Sequence, residues 1–534
     1  MPAIAAVDRR LESGTTDSVR RGRQPRSSLA DMLRILGNRK RLCDGITRRD
    51  LLQVGGASVL GLSLPRLLEA QGGSSEAKTA LRGDLAASFG RAKHCILLFL
   101  YGSPSQLETF DMKPNAPVEI RGTMKPIASS LHGLDVVEHL PRTARVMDRT
   151  TVVRSVTHPY PIHGVAFATT GTPAIDVAME LSPADPRHQP YIGSIVEYLQ
   201  RRQGAPRNAV DNVFLPFPFS SQRTDESHRA GPYAAYLGGE YHPKWTEFVG
   251  EGTKFIVKAR AGGFSFHGKE PYLGCTSEST FRMSNTGILP GMSMDRLDRR
   301  RTLLEQFDAM RIDLEKSAPG RPLTRFQQTA FSMLSSPKIA EALDVRTETL
   351  ATRNLYGMSL FGQSCLAARR LVEDGTRFVS VFWDEYGLAG DAWDTHFDHF
   401  PRMIDQLLPN FDLAYSGLIL DLERRGLLDD TLVLCLSEHG RTPKIANVAG
   451  GGRDHWSRAY SALFAGGGIA RGRVIGATDA VGGDVKDRPV SPKDLLATAY
   501  HLLGIDQHTR LLDRGGRPIG LLPDDAEPVA EMIA

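Results

Sequence analysis

The sequence predicts an α/β protein, with a mostly parallel central sheet flanked by helices and interrupted by loop excursions. Three observations predict it. Strand-length apolar runs are continuous rather than alternating, which suits strands covered on both faces. Segments with an apolar stripe at spacings of three and four, the mark of core-facing helices, are interleaved with those runs. Loops rich in histidine and carboxylate follow one run after another, and parallel strands deliver their C-terminal loops to one edge of a sheet.

The first run, 95–101, opens at Gly102-Ser103-Pro104-Ser105 onto Glu108 and Asp111. The second, 151–156, leads to His158 and His163. Residues 191–203 read as a helix on Ile192, Ile195, Val196 and Leu199, and a strand at 210–216 follows. The stretch 218–295 is rich in Gly, Pro, Ser and aromatics, and is expected to form excursions and a lid-like surface rather than main sheet. A charged helical region, 296–350, precedes a helix at 361–371 and a strand at 378–383. The next helix, 402–426, carries Ile404, Leu407, Leu408, Phe411, Leu418 and Leu422. After a turn at Asp429-Asp430, the strand 431–436 runs into Ser437-Glu438-His439-Gly440. A strand at 459–465 and a helix at 492–503 complete the pattern.

With 534 residues, 41% of them hydrophobic, the chain can bury one large core or two moderate ones. The 65 basic and 61 acidic residues leave a net charge of +4, too even to imply a nucleic-acid partner. Five widely spaced cysteines with no CxxC pair indicate neither a disulfide framework nor a thiolate zinc site. Cys95 and Cys435, inside apolar runs, read as small buried hydrophobes.

Near the N-terminus, Thr47-Arg48-Arg49-Asp50-Leu51-Leu52 precedes an apolar, small-residue stretch at 54–64 and then Pro65. This resembles a twin-arginine export signal. The stretch is too short for a transmembrane helix of ~20 residues. The expected organisation is a leader and linker at 1–89, one domain at 90–510 and a tail at 511–534. The expected location is exported, periplasmic or attached to the cell envelope. The expected partner in transit is the twin-arginine machinery, with no stable transmembrane anchor.

Histidine nitrogens and carboxylate oxygens at strand ends point to a divalent metal, one or two ions. Such ligands suit zinc or manganese, and carboxylate-rich sites also suit magnesium or calcium. The candidate ligands are Glu108, Asp111, Asp394, His396, Glu438, His439 and His455. His158, Asp391, Asp398, His399 and Asp454 are expected to support ligands or to be hydrated. In Trp393-Asp394-Thr395-His396, the indole can form an apolar wall and Thr395 can orient a ligand; alternatively, Asp394 caps the following helix. Ser437 fits loop hydrogen bonding. Ser103 and Ser105, close to the first carboxylates, are candidates to bind an oxyanion or to act as nucleophile.

The run 100–114 (LYGSPSQLETFDMKP), the His163 loop, Trp393-Asp394-Thr395-His396 and Ser437-Glu438-His439-Gly440-Arg441-Thr442-Pro443 together identify a resemblance. The chain is similar to a bacterial, often twin-arginine-exported family, the domain-of-unknown-function family 1501, over roughly 90 to 510. That family in turn resembles the alkaline phosphatase and sulfatase superfamily. The resemblance implies an alkaline-phosphatase-like fold, a metal centre and hydrolysis of phosphate or sulfate esters on small or polymeric anionic substrates. It places Glu438 and His439 at the late carboxylate-histidine pair, His455 at the last histidine, Asp394 and His396 near another pair, and Glu108 or Asp111 at the early carboxylate. The sulfatase signature Cys-x-Pro-x-Arg does not follow the first strand. For such a hydrolase a bound water or a hydroxyl of the 103–105 loop would attack, and His163 would protonate the leaving oxygen. Two other readings are a non-catalytic binding or structural protein that keeps the fold, and a phosphomutase-like enzyme.

Overall fold

The computed structural model describes residues 85–534 except 164, 174–175, 184, 204–209, 225–228, 260–262, 264 and 285–336. The twin-arginine-like segment, Cys43 and positions 296–336 of the charged helical region lie outside the described residues.

The first apolar run becomes His94–Leu100 (β1), and its burial explains why it does not alternate. Cys95, Leu97 and Phe99 enter one hydrophobic core while Ile96, Leu98 and Leu100 enter another on the opposite face of the sheet. Side chains alternate across a strand, so a strand covered on both sides needs apolar residues at every position. The other strands of the main sheet, in chain order, are Thr150–Val156 (β2), Asn212–Leu215 (β3), Lys244–Val249 (β4), Thr280–Met283 (β5), Phe378–Trp383 (β6), Thr431–Leu436 (β7), Tyr460–Ala465 (β8) and Arg473–Ile475 (β9). Their order across the sheet is β9-β2-β8-β7-β1-β6-β3-β4-β5. The run from β7 to β4 is parallel throughout, and β9 is parallel to β2. Strand β8 is antiparallel to both neighbours, and β5 to β4.

Helices cover both faces. Leu360–Glu373 (α2) and Leu408–Arg424 (α3) pack on the face of Ile96, while Ile192–Arg202 (α1) and Pro492–Leu502 (α4) pack on the face of Leu97. Ser359 Oγ accepts the Gly362 N–H to start α2, and Ser491 with Asp494 forms a reciprocal cap for α4. The helix expected over 402–426 is broken at its start: His399–Arg402 passes through a π turn at Met403–Leu407 before α3.

The structure corrects the reading of the middle segment. Strands β4 and β5 both come from 218–295 and extend the main sheet, while Gly252–Ala259 and Ser265–Cys275 form a separate hairpin. Strand β4 reads Lys-Trp-Thr-Glu-Phe-Val, only partly buried, and so lacks the continuous apolar run of the central strands. The stretch 511–534, expected as a tail, packs into the core through Leu511, Leu521, Leu522, Val529 and Met532. Cys95, Cys275, Cys365 and Cys435 are buried and unpaired, as expected of small hydrophobes for Cys95 and Cys435. No helix among the described residues is long and apolar enough to cross a membrane.

For the site, the decisive feature is the level at which three neighbouring strands end. Leu100 pairs with Trp383 and Phe99 with Leu436, so β1, β6 and β7 release their C-terminal loops side by side. Gly102 then turns with φ +88°, and a Cβ there would land on the Asp394 backbone nitrogen, 2.8 Å from the Asp394 Cβ. Gly102→Ala should therefore cost clearly more than the roughly 1–2 kcal/mol of left-handed strain alone. Gly133→Ala, also at positive φ but with nothing within 4 Å, should cost only that strain. Urea denaturation of both variants measures the difference.

Candidate metal centre

Four histidines and one aspartate converge at this edge. Asp394 and His396 come from the loop after β6, His439 from the loop after β7, His455 from the segment before β8, and His163 from the loop after β2. Ligand atoms of His163, His439 and His455 lie within 4.8 Å of one another, as do those of Asp394, His396 and His455. Asp394 Oδ1 is 3.1 Å from His396 Nε2 and 3.3 Å from His455 Nε2, and its Oδ2 is 3.4 Å from His163 Nε2. The two Nε2 atoms of His396 and His455 are 3.1 Å apart.

The other ring nitrogens face outward, each toward an acceptor. His163 Nδ1 donates to Glu438 Oε1 at 3.0 Å, His396 Nδ1 to Asp454 Oδ1 at 2.8 Å, His439 Nδ1 to the Gly440 carbonyl at 2.9 Å and His455 Nδ1 to the Pro161 carbonyl at 3.4 Å. Carbonyls and carboxylates accept only, so each contact fixes the proton on Nδ1 and leaves Nε2 for the cluster. Metal-binding histidines are oriented in this manner. His439 Nε2 is buried and has no hydrogen-bond partner. A buried imidazole nitrogen with no partner is costly, and a metal ion would satisfy it. The donor set, nitrogen-rich with one carboxylate, fits a divalent transition metal.

Electrostatics agree. Burial opposes charge on His163, but Asp394 and Glu438 outweigh it and hold its pKa at about 9. Burial likewise works to raise Asp394, yet Arg441 and His163 keep it well below the usual carboxylate range. His439, by contrast, is pushed well below the ordinary imidazole value by burial, then by the charges of His455, Arg441 and His163. The carboxylates thus favour a proton on His163, while His439 is held neutral.

Buried arginines hold the loops. Arg441 donates from Nη2 to Asp394 Oδ1 at 2.6 Å and to the Gly102 carbonyl, from Nε to the Ser103 carbonyl at 3.2 Å and from Nη1 to the Arg453 carbonyl at 3.0 Å. The ladder Gly440–Arg441 with His455–Trp456 sets His455 opposite Arg441. Tyr101 stacks on His163 with ring centres 5.1 Å apart, and Arg223 lies over the same tyrosine at 4.6 Å.

The remaining sequence-selected residues lie around this cluster. Glu438 Oε1 accepts both Gly102 N–H, at 2.7 Å, and His163 Nδ1–H. Both ring nitrogens of His163 thus face carboxylates. Glu108 and Asp111 are not brought to the cluster. Glu108 is held by Arg453 and by His399 Nε2 at 3.2 Å; Asp111 by Lys113 at 2.9 Å, Arg154 at 3.5 Å and the Thr478 hydroxyl. Ser103 Oγ, fully buried at φ +70°, accepts the His439 N–H at 3.1 Å, and Ser105 Oγ caps a short turn by accepting Leu107 N–H at 3.3 Å. Ser437 makes the expected loop hydrogen bond, to the His439 carbonyl at 3.0 Å. Asp394 does not cap the following turn, whose N-cap position is Asp398. Thr395 Oγ1 meets His399 Nδ1 at 2.7 Å, and Trp393 is buried against Trp383 and Phe411. His158 Nε2 donates to the Glu438 carbonyl at 2.8 Å, and burial lowers its pKa to about 4, so it is neutral.

Sequence reasoning did not assign Arg441, Arg453, Tyr101 or Arg223 any role. Arg441 was visible inside the Ser437–Pro443 motif; nothing in the sequence marks Arg223 or Arg453 as buried.

A histidine-rich candidate metal cluster at the carboxyl edge of a mixed α/β sheet is the class that fold and site define. Residues 92–533 match the family described as a protein of unknown function, DUF1501, and the chain belongs to that family. No curated protein matches the sequence. Among solved structures the chain is similar to a sulfatase from Pseudoalteromonas sp., at 10% identity over 81% of this chain and 72% of that one, with a TM-score of 0.34. It is also similar to the lipoteichoic acid synthase of Listeria monocytogenes (11% identity, 84% and 80% covered, TM-score 0.31). A third is the phosphonate monoester hydrolase of Agrobacterium radiobacter (12% identity, 82% and 77% covered, TM-score 0.30).

Two outcomes follow. Since His163 holds a proton below about pH 9, metal uptake at pH 7 should release protons and tighten as pH rises toward 9; the buffer dependence of the calorimetric binding enthalpy reads the number released. Burial works to raise Glu108, but Arg453 and His399 overcome it and lower its pKa from 4.5 to about 2. Its ion pair therefore contributes stability above pH 4.5 that is lost as pH falls through about 2. Glu108→Ala, which strands buried Arg453 and His399, should cost about 3–5 kcal/mol at pH 7, and the difference from wild type should shrink toward pH 2 in urea titrations.

Proposed function

We propose that this protein is an exported, metal-dependent hydrolase of phosphate or sulfate esters. The observation that carries the reading is the approach of three Nε2 atoms, those of His163, His396 and His455, to Asp394, together with His439, whose ligand atom lies within 4.8 Å of those of His163 and His455 and whose buried Nε2 has no hydrogen-bond partner. When bound, a divalent ion there supplies Lewis-acid neutralisation of an ester oxygen and lowers the pKa of a water.

The chain's own residues define where the ester sits. Asp394, His439 and His163 form the closed floor, whereas His396 is 36% exposed and Asp454 68% exposed at its outer side. An anionic ester enters past His396 and His455. Ser103 is enclosed and already accepts the His439 N–H, so water rather than this hydroxyl is the attacking group. The new bond joins the water oxygen to phosphorus or sulfur as that water gives a proton to solvent, the ester P–O or S–O bond breaks, and the departing alkoxide takes a proton from solvent at the open edge. Neutral His158 and the Glu438 carboxylate keep the floor in place by holding, respectively, the Glu438 carbonyl and the His163 ring. The twin-arginine-like segment at 47–65 supports export to the periplasm or cell envelope in a bacterium, with 1–89 as leader and linker.

The test is an aryl phosphate and aryl sulfate panel with metal analysis. Wild type should turn over at least one class. His439→Ala should lose both stoichiometric metal and, by at least about a hundredfold, turnover, in keeping with loss of several kcal/mol of transition-state stabilisation. Unchanged metal content in that variant contradicts the reading.

A further inference from the structure

We infer that the cleft between the hairpin strand Gly252–Ala259 and the loop after β6 is a binding site for an uncharged saccharide unit, separate from the histidine cluster. The inference stands whether or not that cluster hydrolyses an ester.

The cleft has a volume of about 390 Å³, inside the roughly 300–1,000 Å³ range of small-molecule sites. One wall is the hairpin strand, through Ile256, Val257 and Lys258, and the other is the loop after β6, through Leu388, Asp391 and Phe397. Asp398, Arg402 and Gln406 complete the polar lining. A recess of about 20 Å³ shares Lys258, Asp391 and Gln406 with the cleft and has room for a single water. Gln406 lies in the π turn Met403–Leu407, a rare element found mostly at functional sites, and the histidine cluster makes no use of it.

The charges in the cleft argue against an anion as its ligand. Lys258 Nζ commits all three donors inside the protein, to the Tyr386 carbonyl at 2.9 Å, to Glu270 at 2.5 Å and to Asp391. Arg402 Nη2 meets Asp391 Oδ1 at 3.3 Å and the Ala392 carbonyl, and its Nη1 donates to the Asp394 carbonyl at 3.1 Å. Two cations thus stand beside three carboxyl groups, those of Asp391, Glu270 and Asp398, and no positive charge is left in excess. A sulfate or phosphate group gains little there.

The polar groups that remain open are of both kinds. Among the described residues, the Gln406 amide, the Arg402 Nε–H and the Asp398 carboxylate have no hydrogen-bond partner. Hydroxyls donate and accept, so a polyol satisfies all three at once, whereas a purely apolar ligand would bury them unmet. A sugar ring also presents C–H faces, which match the apolar surface of Ile256, Val257 and Leu388. Phe397 is half-buried and packs on no other aromatic ring among the described residues, which leaves its face for such a ring.

The full chain, before and after treatment with chelator, is tested by calorimetry and saturation-transfer NMR against cellobiose, maltose and chitobiose, with sulfated and phosphorylated glucose as charged controls. At least one neutral disaccharide should bind at millimolar concentration or below, the charged sugars should bind more weakly, and chelation should change nothing. Gln406→Ala should weaken binding roughly 3- to 10-fold and Phe397→Leu roughly 2- to 10-fold, with the fold retained by circular dichroism. Binding by none of the neutral disaccharides, tighter binding of the charged sugars, or unchanged affinity in folded Gln406→Ala and Phe397→Leu chains overturns the inference. Loss of binding on chelation places the sugar at the histidine cluster and overturns it as well. The wild-type panel and the chelator arm decide the matter even where the variants do not fold.

Discussion

The buried guanidinium of Arg441 ties together the loops that follow three strands. It bonds the Gly102 and Ser103 carbonyls after β1, the Asp394 carboxylate after β6 and the Arg453 carbonyl, while its own backbone follows β7. An arginine taken fully out of water is expensive unless its donors are met. Here one cation satisfies backbone carbonyls that the turns leave unpaired, and its charge keeps Asp394 ionised. Without it, the loops after β1 and β6 would lose their common partner.

A second layer of contacts turns this brace into a cage. Each histidine is gripped by its Nδ1 and presents its Nε2 to the cluster, so ring orientation is set by the protein's own hydrogen bonds. Preorganisation of this kind places the cost of assembling like-charged and desolvated groups on the folded scaffold rather than on ion binding. The scaffold bears that cost through packing on both faces of the sheet, which is why the strands beneath the site are mostly apolar and almost wholly buried. A second buried set, Glu108 with Arg453, His399 and Thr395, braces the same loops from behind.

Much of this was legible in the sequence where burial leaves an unambiguous trace. The strands 378–383 and 431–436 were bounded as observed because every residue in them is buried. Strand β4 was not legible: Thr246 is its one buried residue, and a half-buried strand in a Gly- and Pro-rich stretch resembles loop. At the site, the residue types Asp394, His396, His439 and His455 were selected and do converge. Glu108 and Asp111 have the same chemistry and an equally suitable strand-end position, yet each meets cations from distant segments, Arg453 for one and Arg154 for the other. Spacing along the chain carries no information about which carboxylate meets which arginine. His163 was selected as a proton donor; only the three-dimensional arrangement brings its Nε2 toward Asp394 and its Nδ1 to Glu438.

The central proposal is that these histidines, with Asp394, hold a divalent metal. Anomalous diffraction from crystals of the zinc-loaded chain, recorded on both sides of the zinc edge, tests it most directly. The account predicts anomalous density within about 2.0–2.2 Å of Nε2 atoms of this histidine cluster. A peak seated on Glu108 or Asp111, or no peak among the histidines, would contradict it.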